Sequence, residues 1–164
     1  MKKLNRKGFT LIELLAVIVI LAVVMVVTIP SVLNSMDSAK QNQLKNAASS
    51  VAEWFQKNYD IASLSSSGIA SPDGAYTTFA TTATITAMTG TSGFTICDES
   101  AATPTSCNNA VLTAAGLSDP ATNVSKVNVK VNGSNKVCVE LTAKSGGKFY
   151  TDSSHATATG GNGC

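Results

Sequence analysis

The feature that most constrains this chain is a continuous apolar stretch near its N-terminus. Residues 9–29 read FTLIELLAVIVILAVVMVVTI, and the only charged residue among them is Glu13. As an α-helix rising about 1.5 Å per residue, the stretch is roughly 30 Å long, which matches the hydrocarbon thickness of a bilayer. The sequence therefore predicts a helix that can span a membrane.

Four basic residues precede this stretch and set its expected orientation. Lys2, Lys3, Arg6 and Lys7 supply four of the twelve basic residues, and the other eight stand against ten acidic residues. The positive-inside tendency predicts that the leader stays cytoplasmic and that everything after Ile29 lies across the membrane. The remainder has no basic stripe, so the sequence gives no support for nucleic-acid binding.

An ordinary secretory signal is the alternative interpretation, since it also has a basic start and an apolar centre. Here the apolar run is longer than a usual signal core, and it ends in TIPSV without a small-x-small cleavage signature. A signal core gains nothing from a carboxylate, and an ionisable group inside a membrane segment costs a few kcal/mol. Glu13 therefore indicates a function beyond export.

The residues around Glu13 resemble a known processing motif. KGFTLIE at positions 7–13 follows a short basic leader and is similar to the class III signal of type IV prepilins and pseudopilins. The resemblance implies that a prepilin peptidase cuts between Gly8 and Phe9 on the cytoplasmic side, and that the new α-amine on Phe9 is methylated. It also implies that this amine pairs with Glu13 and that the apolar helix is retained.

Function and partners follow from the resemblance as expectations. It implies a structural subunit, a major pilin, that polymerises through its N-terminal helix into a type IV pilus for adhesion, twitching motility or DNA uptake. The expected partners are identical subunits in a helical homopolymer, the prepilin peptidase and methylase, the pilus assembly machinery and, before assembly, the cytoplasmic membrane. The assembled pilus is extracellular, on the bacterial surface. The alternatives are a type II secretion pseudopilin, a minor pilin with a binding head, and a simple membrane-anchored domain.

Beyond Pro30 the uniformly apolar pattern becomes amphipathic. We expect one helix over residues 9–64, roughly 80 Å long at about 1.5 Å per residue, which is too long for one globular domain to cover. Pro30 removes a backbone donor and clashes with the preceding turn, so we expect a kink or local melting there. In pilins the helix loosens at such a proline on assembly. The apolar positions are Leu33, Met36, Leu44, Ala47, Ala48, Val51 and Phe55 and, less strictly, Trp54, Ile61 and Leu64.

The C-terminal half predicts a small antiparallel sheet. Val127, Val129 and Val131 alternate with polar residues, a turn containing Asn-Gly follows at residues 132–135, and the alternation resumes over residues 137–141. This pattern is a strong hairpin signal.

Weaker patterns complete the head. Residues 148–150, KFY, follow two glycines and predict a third strand. AVLTAAGL at residues 110–117 predicts one or two helical turns, closed by SDP at residues 118–120. SSSGIASPD at residues 65–73 is typical of a loop.

These patterns predict an α+β type IV pilin fold. The hydrophobic half of the helix protrudes, and the amphipathic half packs on the small antiparallel sheet. The expected segments are a leader removed by prepilin peptidase at 1–8, a transmembrane and assembly helix at 9–30, the amphipathic half at 31–64, and a globular head with a disulfide-closed C-terminal loop at 65–164.

Four cysteines lie in the C-terminal half, without a CxxC pair or metal-ligand spacing to His155. An even number in an exported chain favours disulfides over buried free thiols. Four cysteines allow three pairings, and the sequence alone does not choose among them. The resemblance to pilins implies a C-terminal disulfide loop, Cys138 with Cys164, and in this arrangement Cys97 pairs with Cys107. Each bridge of this size contributes roughly 3 kcal/mol in the chain-entropy model.

The sequence shows no catalytic constellation, and we expect no enzyme activity, cofactor, metal or small-molecule ligand. His155 is expected on the surface, in an SSHAT loop. Asp98 and Glu99 supply far fewer oxygen ligands than the six to eight that a calcium ion needs. GGNG at residues 160–163 follows no strand-to-helix pattern, so it is not a phosphate loop.

Overall fold

A computed structural model describes residues 9–64 and 87–164. The expected leader at residues 1–8, which includes Gly8, and the expected loop at residues 65–73 lie outside the described residues. The elements in chain order are α1 (Leu11–Leu64), β1 (Phe94–Asp98), α2 (Ala110–Ala114), α3 (Pro120–Asn123), β2 (Val124–Val131), β3 (Val137–Ala143) and β4 (Thr157–Gly160).

The chain divides into two compact units, Met1–Ser38 and Ala39–Cys164, and α1 contributes residues to both. In the first unit the described residues are helical from Leu11 onward. The second unit contains the remainder of α1 and the whole sheet.

The sheet is antiparallel, with the strand order β1-β2-β3-β4. Strands β2 and β3 form the predicted hairpin, in which Val129 lies opposite Val139. The side-chain oxygen of Asn132 organises its turn by accepting the backbone N–H groups of Ser134 at 3.0 Å and Lys136 at 2.9 Å. The hairpin prediction is therefore confirmed, and its turn is held by a side chain as well as by the backbone.

The core of the second unit lies between α1 and one face of the sheet. Side chains alternate across a strand, so the predicted valines of β2 all point to the same face, and none of them is more than 5% exposed. The buried α1 residues recur every three or four positions, as in an amphipathic helix. They are Leu44, Ala48, Val51, Ala52 and Phe55. This packing confirms the α+β, type IV pilin-like fold.

The predicted apolar positions between Leu44 and Phe55 face the core, and three predicted positions outside that range do not. Ala47 and Trp54 pack against the core as partly buried residues. Leu33, Met36 and Ile61 are exposed. Periodicity shows which face of a helix is apolar, but it does not show where the sheet that covers that face ends.

The predicted third strand at residues 148–150 is wrong. The segment is a turn, in which the N–H of Tyr150 donates to the carbonyl of Gly147, and Phe149 inserts into the core. The strand beside β3 is β4, and β1 lies at the opposite edge of the sheet. The short apolar run at 148–150 buries the ring of Phe149 in the core and does not form a strand.

The helical turns predicted at residues 110–117 are present as α2. Asn109 caps α2, because its side-chain oxygen accepts the N–H of Val111 at 2.9 Å. Pro120 does not close this helix, as was expected, but begins α3 at the first helical position. A proline is tolerated there because that position needs no N–H donor.

The glycines of the tail allow it to pack directly on the helix. A β-carbon on Gly160 would collide with the backbone of Ala48 and Ser49, and one on Gly161 would collide with the carbonyl of Val137. GGNG therefore has a packing role: the missing side chains let β4 and the tail approach α1 at backbone distance.

Candidate processing and assembly site

The N-terminus of α1 carries a capping box. Thr10 precedes the first helical residue, and one carboxylate oxygen of Glu13, Oε2, accepts the backbone N–H of Thr10 at 2.7 Å and its hydroxyl at 2.8 Å. The Glu13 N–H lies 3.4 Å from the Thr10 hydroxyl oxygen, which accepts from it. These reciprocal bonds satisfy backbone donors that the first turn of a helix leaves open.

This capping box is a contact that the sequence analysis missed. The amine of Phe9 exists only after cleavage, so its pairing with Glu13 stays a prediction, and in the uncut chain Glu13 bonds to Thr10. The pattern Thr-x-x-Glu before an apolar run is a known signal for such a cap. Both bonds from Thr10 go to Oε2 of Glu13. Within residues 9–64 and 87–164 no group bonds to the other carboxylate oxygen, Oε1.

The helix that follows exposes its large apolar side chains. Phe9 is 84% exposed and Leu11 is 82% exposed, and most large apolar side chains onward to Met36 are also open to solvent. By length and composition, α1 is the one helix among the described residues that can cross a membrane. An apolar surface of this size needs a membrane or another protein surface to cover it.

Pro30 lies inside α1, and the helix runs through it without a break. Local melting at Pro30 is therefore not present in this subunit, and a kink there stays a prediction. Several hydroxyls near Pro30 bond back to helix carbonyls: Ser35 donates to Ser31 at 3.0 Å, and Ser38 donates to Asn34 at 3.0 Å. Such bonds compete with the backbone ladder and weaken a helix locally. Loosening at Pro30 on assembly stays a prediction.

A model of the prokaryotic N-terminal methylation motif matches residues 3–29. The matched stretch contains three of the four basic residues of the leader, the Gly8 and Phe9 pair, the capping box and most of the exposed apolar surface. This chain carries the hallmark of type IV pilins and pseudopilins. The motif implies processing by prepilin peptidase and assembly into pilus-like polymers, and with the apolar helix it fits membrane anchoring. The match points to a structural, pilin-type protein rather than to an enzyme family. No curated protein and no solved structure matches the chain.

The pilin-like head is closed by two disulfides, and these are the two bridges that the sequence analysis favoured. Cys97 and Cys107 bond with their Cα atoms 5.1 Å apart, and both residues are completely buried. Cys138 and Cys164 bond with their Cα atoms 5.7 Å apart, at the surface of the head. The first bridge fixes a loop beside β1, and the second fixes the C-terminal tail beside β3.

The acidic pair in the first disulfide loop is bound to lysines. Asp98 lies 3.0 Å from Lys126, and Glu99 lies 2.7 Å from Lys144. Hydrogen bonds from Ser100 and then Lys126 lower the pKa of Asp98 to about 2. The bond from Lys144 is the main cause of a lowered pKa at Glu99. These charges therefore join the loop to β2 and to the residue that follows β3.

The C-terminal tail is joined to the hairpin by more than its disulfide. The side-chain amide of Asn132 donates to the carbonyl of Gly163 at 3.2 Å. On the helix side, Gln56 of α1 accepts the N–H of Val137 at 2.7 Å and donates to the carbonyl of Asn135 at 3.2 Å. Helix, hairpin and tail therefore meet at the turn end of the sheet.

His155 lies on the surface, close to a serine and an aspartate. The hydroxyl of Ser154 is 2.9 Å from Nδ1 of His155, and both carboxylate oxygens of Asp152 are 3.1 Å from that same nitrogen. A Ser-His-Asp relay needs the serine on one ring nitrogen and the carboxylate on the other. This cluster therefore has the composition of a triad without its geometry. Hydrogen bonds from Ser154 and His155 hold the pKa of Asp152 well below its usual range.

Proposed function

We propose that this protein is the structural subunit of a type IV pilus, a major pilin. The leader at 1–8 is removed between Gly8 and Phe9, and Phe9 is methylated on its new amine. Before assembly the mature chain is inserted in the cytoplasmic membrane with its head outside. The assembly machinery then adds it to an extracellular filament of identical subunits. The observation that carries the proposal is the methylation motif at residues 3–29, whose exposed apolar stretch contains a single carboxylate, that of Glu13.

The exposed surface of α1 supports a coupling between membrane exit and polymerisation. Burying one large aliphatic side chain contributes about 1.5–3 kcal/mol. The lipid tails cover these side chains before assembly, and the same segment of neighbouring subunits covers them in the filament. Removal from the membrane without a partner helix would expose all of them at once, so transfer from lipid into the filament is coupled to assembly.

The capping box supports a register-setting role for Glu13. Thr10 occupies Oε2 only, so Oε1 is available for the protonated amine of Phe9 in a neighbouring subunit. A free α-amine has a reference pKa of about 7.7–8.0 and is largely a cation at neutral pH. Glu13 can therefore cap its own helix and accept the neighbour's amine without a conformational change. Packing stabilises the filament, and the ion pair selects the axial step.

The head favours a pilus over a secretion pseudopilus. A calcium-binding head like that of the major pseudopilins would need several free carboxylates, and here Asp98 and Glu99 are committed to lysines. Two disulfides also suit a subunit that works outside the cell. The secretion pseudopilin and the minor pilin remain the alternative functions.

Sheared surface filaments provide the test. N-terminal and intact-mass measurement should find a chain that starts at methylated Phe9 and forms the dominant band of the filament. A trace amount would indicate a minor pilin, and filaments confined to the cell envelope would indicate a pseudopilus. Assembled chains that retain residues 1–8 would contradict the proposed processing. A bulky replacement of Gly8 should leave the uncut chain in the membrane.

A further inference from the structure

The chain contains two Asn-Gly pairs, at residues 132–133 and 162–163. Asparagine before glycine is chemically labile, because the glycine N–H can attack the asparagine side chain with no β-carbon in the way. The reaction needs the side chain to rotate towards the next backbone nitrogen, so its rate depends on how firmly the side chain is held. The two pairs are held very differently.

Three hydrogen bonds with backbone groups hold the side chain of Asn132. Its side-chain oxygen accepts the N–H groups of Ser134 and Lys136, and its amide donates to the carbonyl of Gly163. Rotation of the side chain into the reactive position would break all three bonds. The fold therefore protects this pair.

Asn162 has no such support. It is exposed, and its side chain makes no hydrogen bond to any residue in 9–64 or 87–164. It lines an open groove of about 290 Å³ between α1 and the β2-β3 turn, beside Lys57 and Lys136. Its side chain is therefore free to reach the N–H of Gly163.

We propose that Asn162 is a site of spontaneous deamidation and that the fold suppresses the same reaction at Asn132. The backbone nitrogen of Gly163 bonds to Cγ of Asn162, the Cγ–Nδ2 bond breaks, and ammonia leaves with the proton from that nitrogen. Water then opens the resulting succinimide at one of its two carbonyls, giving aspartate or isoaspartate. No oxidant, reductant or enzyme is needed.

The isoaspartate product changes the attachment of the tail. It inserts one methylene into the backbone between Asn162 and Gly163, next to Gly161, where a β-carbon would already collide with the Val137 carbonyl and the Cys164 sulfur. The Gly163 carbonyl therefore shifts away from the Asn132 amide that binds it. The Cys138–Cys164 bridge is left as the main tether of the tail, and it becomes more accessible to reductants.

The test is peptide mapping of the full mature chain, folded in detergent and aged at mildly alkaline pH, with isoaspartate assigned by fragmentation. Because three hydrogen bonds hold Asn132, aspartate and isoaspartate should accumulate at Asn162 roughly tenfold faster or more. The same chain, reduced and denatured, is the control, and in it the two sites should react at similar rates. The variants Asn162→Ala and Asn162→Asp are compared with the aged chain in the rate at which the Cys138–Cys164 disulfide is reduced. The comparison shows whether this rate depends on the added methylene or on the added negative charge.

Each outcome decides the proposal. Equal rates at the two sites in the folded chain, or no reaction at Asn162, would overturn it. If Asn132 deamidates more slowly than Asn162 in the denatured chain as well, local sequence causes the difference. The fold then has no protective role, and the proposal is wrong. If Asn162→Asp loosens the tail as much as ageing does, the backbone-insertion mechanism is wrong.

Discussion

Gly160 of β4 packs directly against the backbone of Ala48 on α1, so closely that a β-carbon at Gly160 has no space. This contact positions the C-terminal tail on the helix and brings Cys164 to Cys138. Gly160 is therefore one of the positions in the head where a side chain is least tolerated.

The variant Gly160→Ala should therefore be strongly destabilised. Overpacking of this kind costs about 1–3 kcal/mol and more where backbone must move, as it must here. Gly133→Ala is the matched control, since nothing lies within 4 Å of its β-carbon position. Denaturant unfolding of the two variants can be followed by the fluorescence of Trp54, the single tryptophan. Equal stability of the two would refute the close contact.

Gln56 should be a second stabilising contact of the head. Gln56→Ala leaves the N–H of Val137 without its side-chain acceptor, and an unsatisfied buried donor costs about 1–3 kcal/mol. Gln43→Ala, on the exposed face of the same helix, should change the unfolding free energy by less than about 0.5 kcal/mol. The same Trp54 unfolding assay compares them, and a harmless Gln56→Ala would contradict the assigned role.

Glu13 can be tested with two substitutions that separate charge from capping. Glu13→Ala removes both, whereas Glu13→Gln keeps an acceptor for Thr10, because glutamine also serves in a capping box. Both variants should insert and be cleaved normally. Both should lose filaments when they are the only copy, since an uncompensated buried charge costs about 3–5 kcal/mol.

Electron microscopy of sheared surface fractions, with a membrane blot for the processed subunit, measures both properties. Thr10→Ala is the capping control: it keeps the charge of Glu13 and should still assemble. Normal filaments from Glu13→Gln would show that the charge does not set the register.

The two disulfides should differ in their sensitivity to reductants. Cys97 and Cys107 are completely buried, whereas Cys164 is exposed, and thiol exchange requires access to a sulfur. Mild reduction of the folded protein, followed by alkylation and mass mapping, should therefore label Cys138 and Cys164 first. Loss of the tail bridge should cost about 2–5 kcal/mol of stability. Simultaneous labelling of all four cysteines would instead indicate global unfolding.

The head should lose stability in acid through the first disulfide loop. The pKa of Asp98 is lowered to about 2 in the folded chain, and that of Glu99 is lowered as well. A lowered pKa stabilises the fold above the unfolded value of about 4, and this contribution disappears as pH falls towards about 2. Unfolding free energies measured across this window should fall less steeply for Asp98→Asn and Lys126→Met than for the natural chain. An unchanged slope in both variants would exclude the ion pair as the cause.

The sequence by itself determined the features that depend on local pattern. The processing motif, the apolar helix and the Val127 to Leu141 hairpin all follow from residue order, because a membrane span and a hairpin are defined by composition and periodicity along a short stretch. The Thr10 and Glu13 capping box also has a local signal, the pattern Thr-x-x-Glu before an apolar run.

Tertiary structure alone decided which segments pair across long separations. Residues 148–150 have strand-like composition and form a turn, whereas Thr157–Gly160, with its threonines and glycine, forms β4 because Gly160 fits against Ala48. The lysine partners of Asp98 and Glu99 likewise depend on residues distant in sequence, and so does the bond from the Asn132 amide to Gly163. Packing geometry decides such contacts, since steric fit and hydrogen-bond partners exist only once the chain is folded.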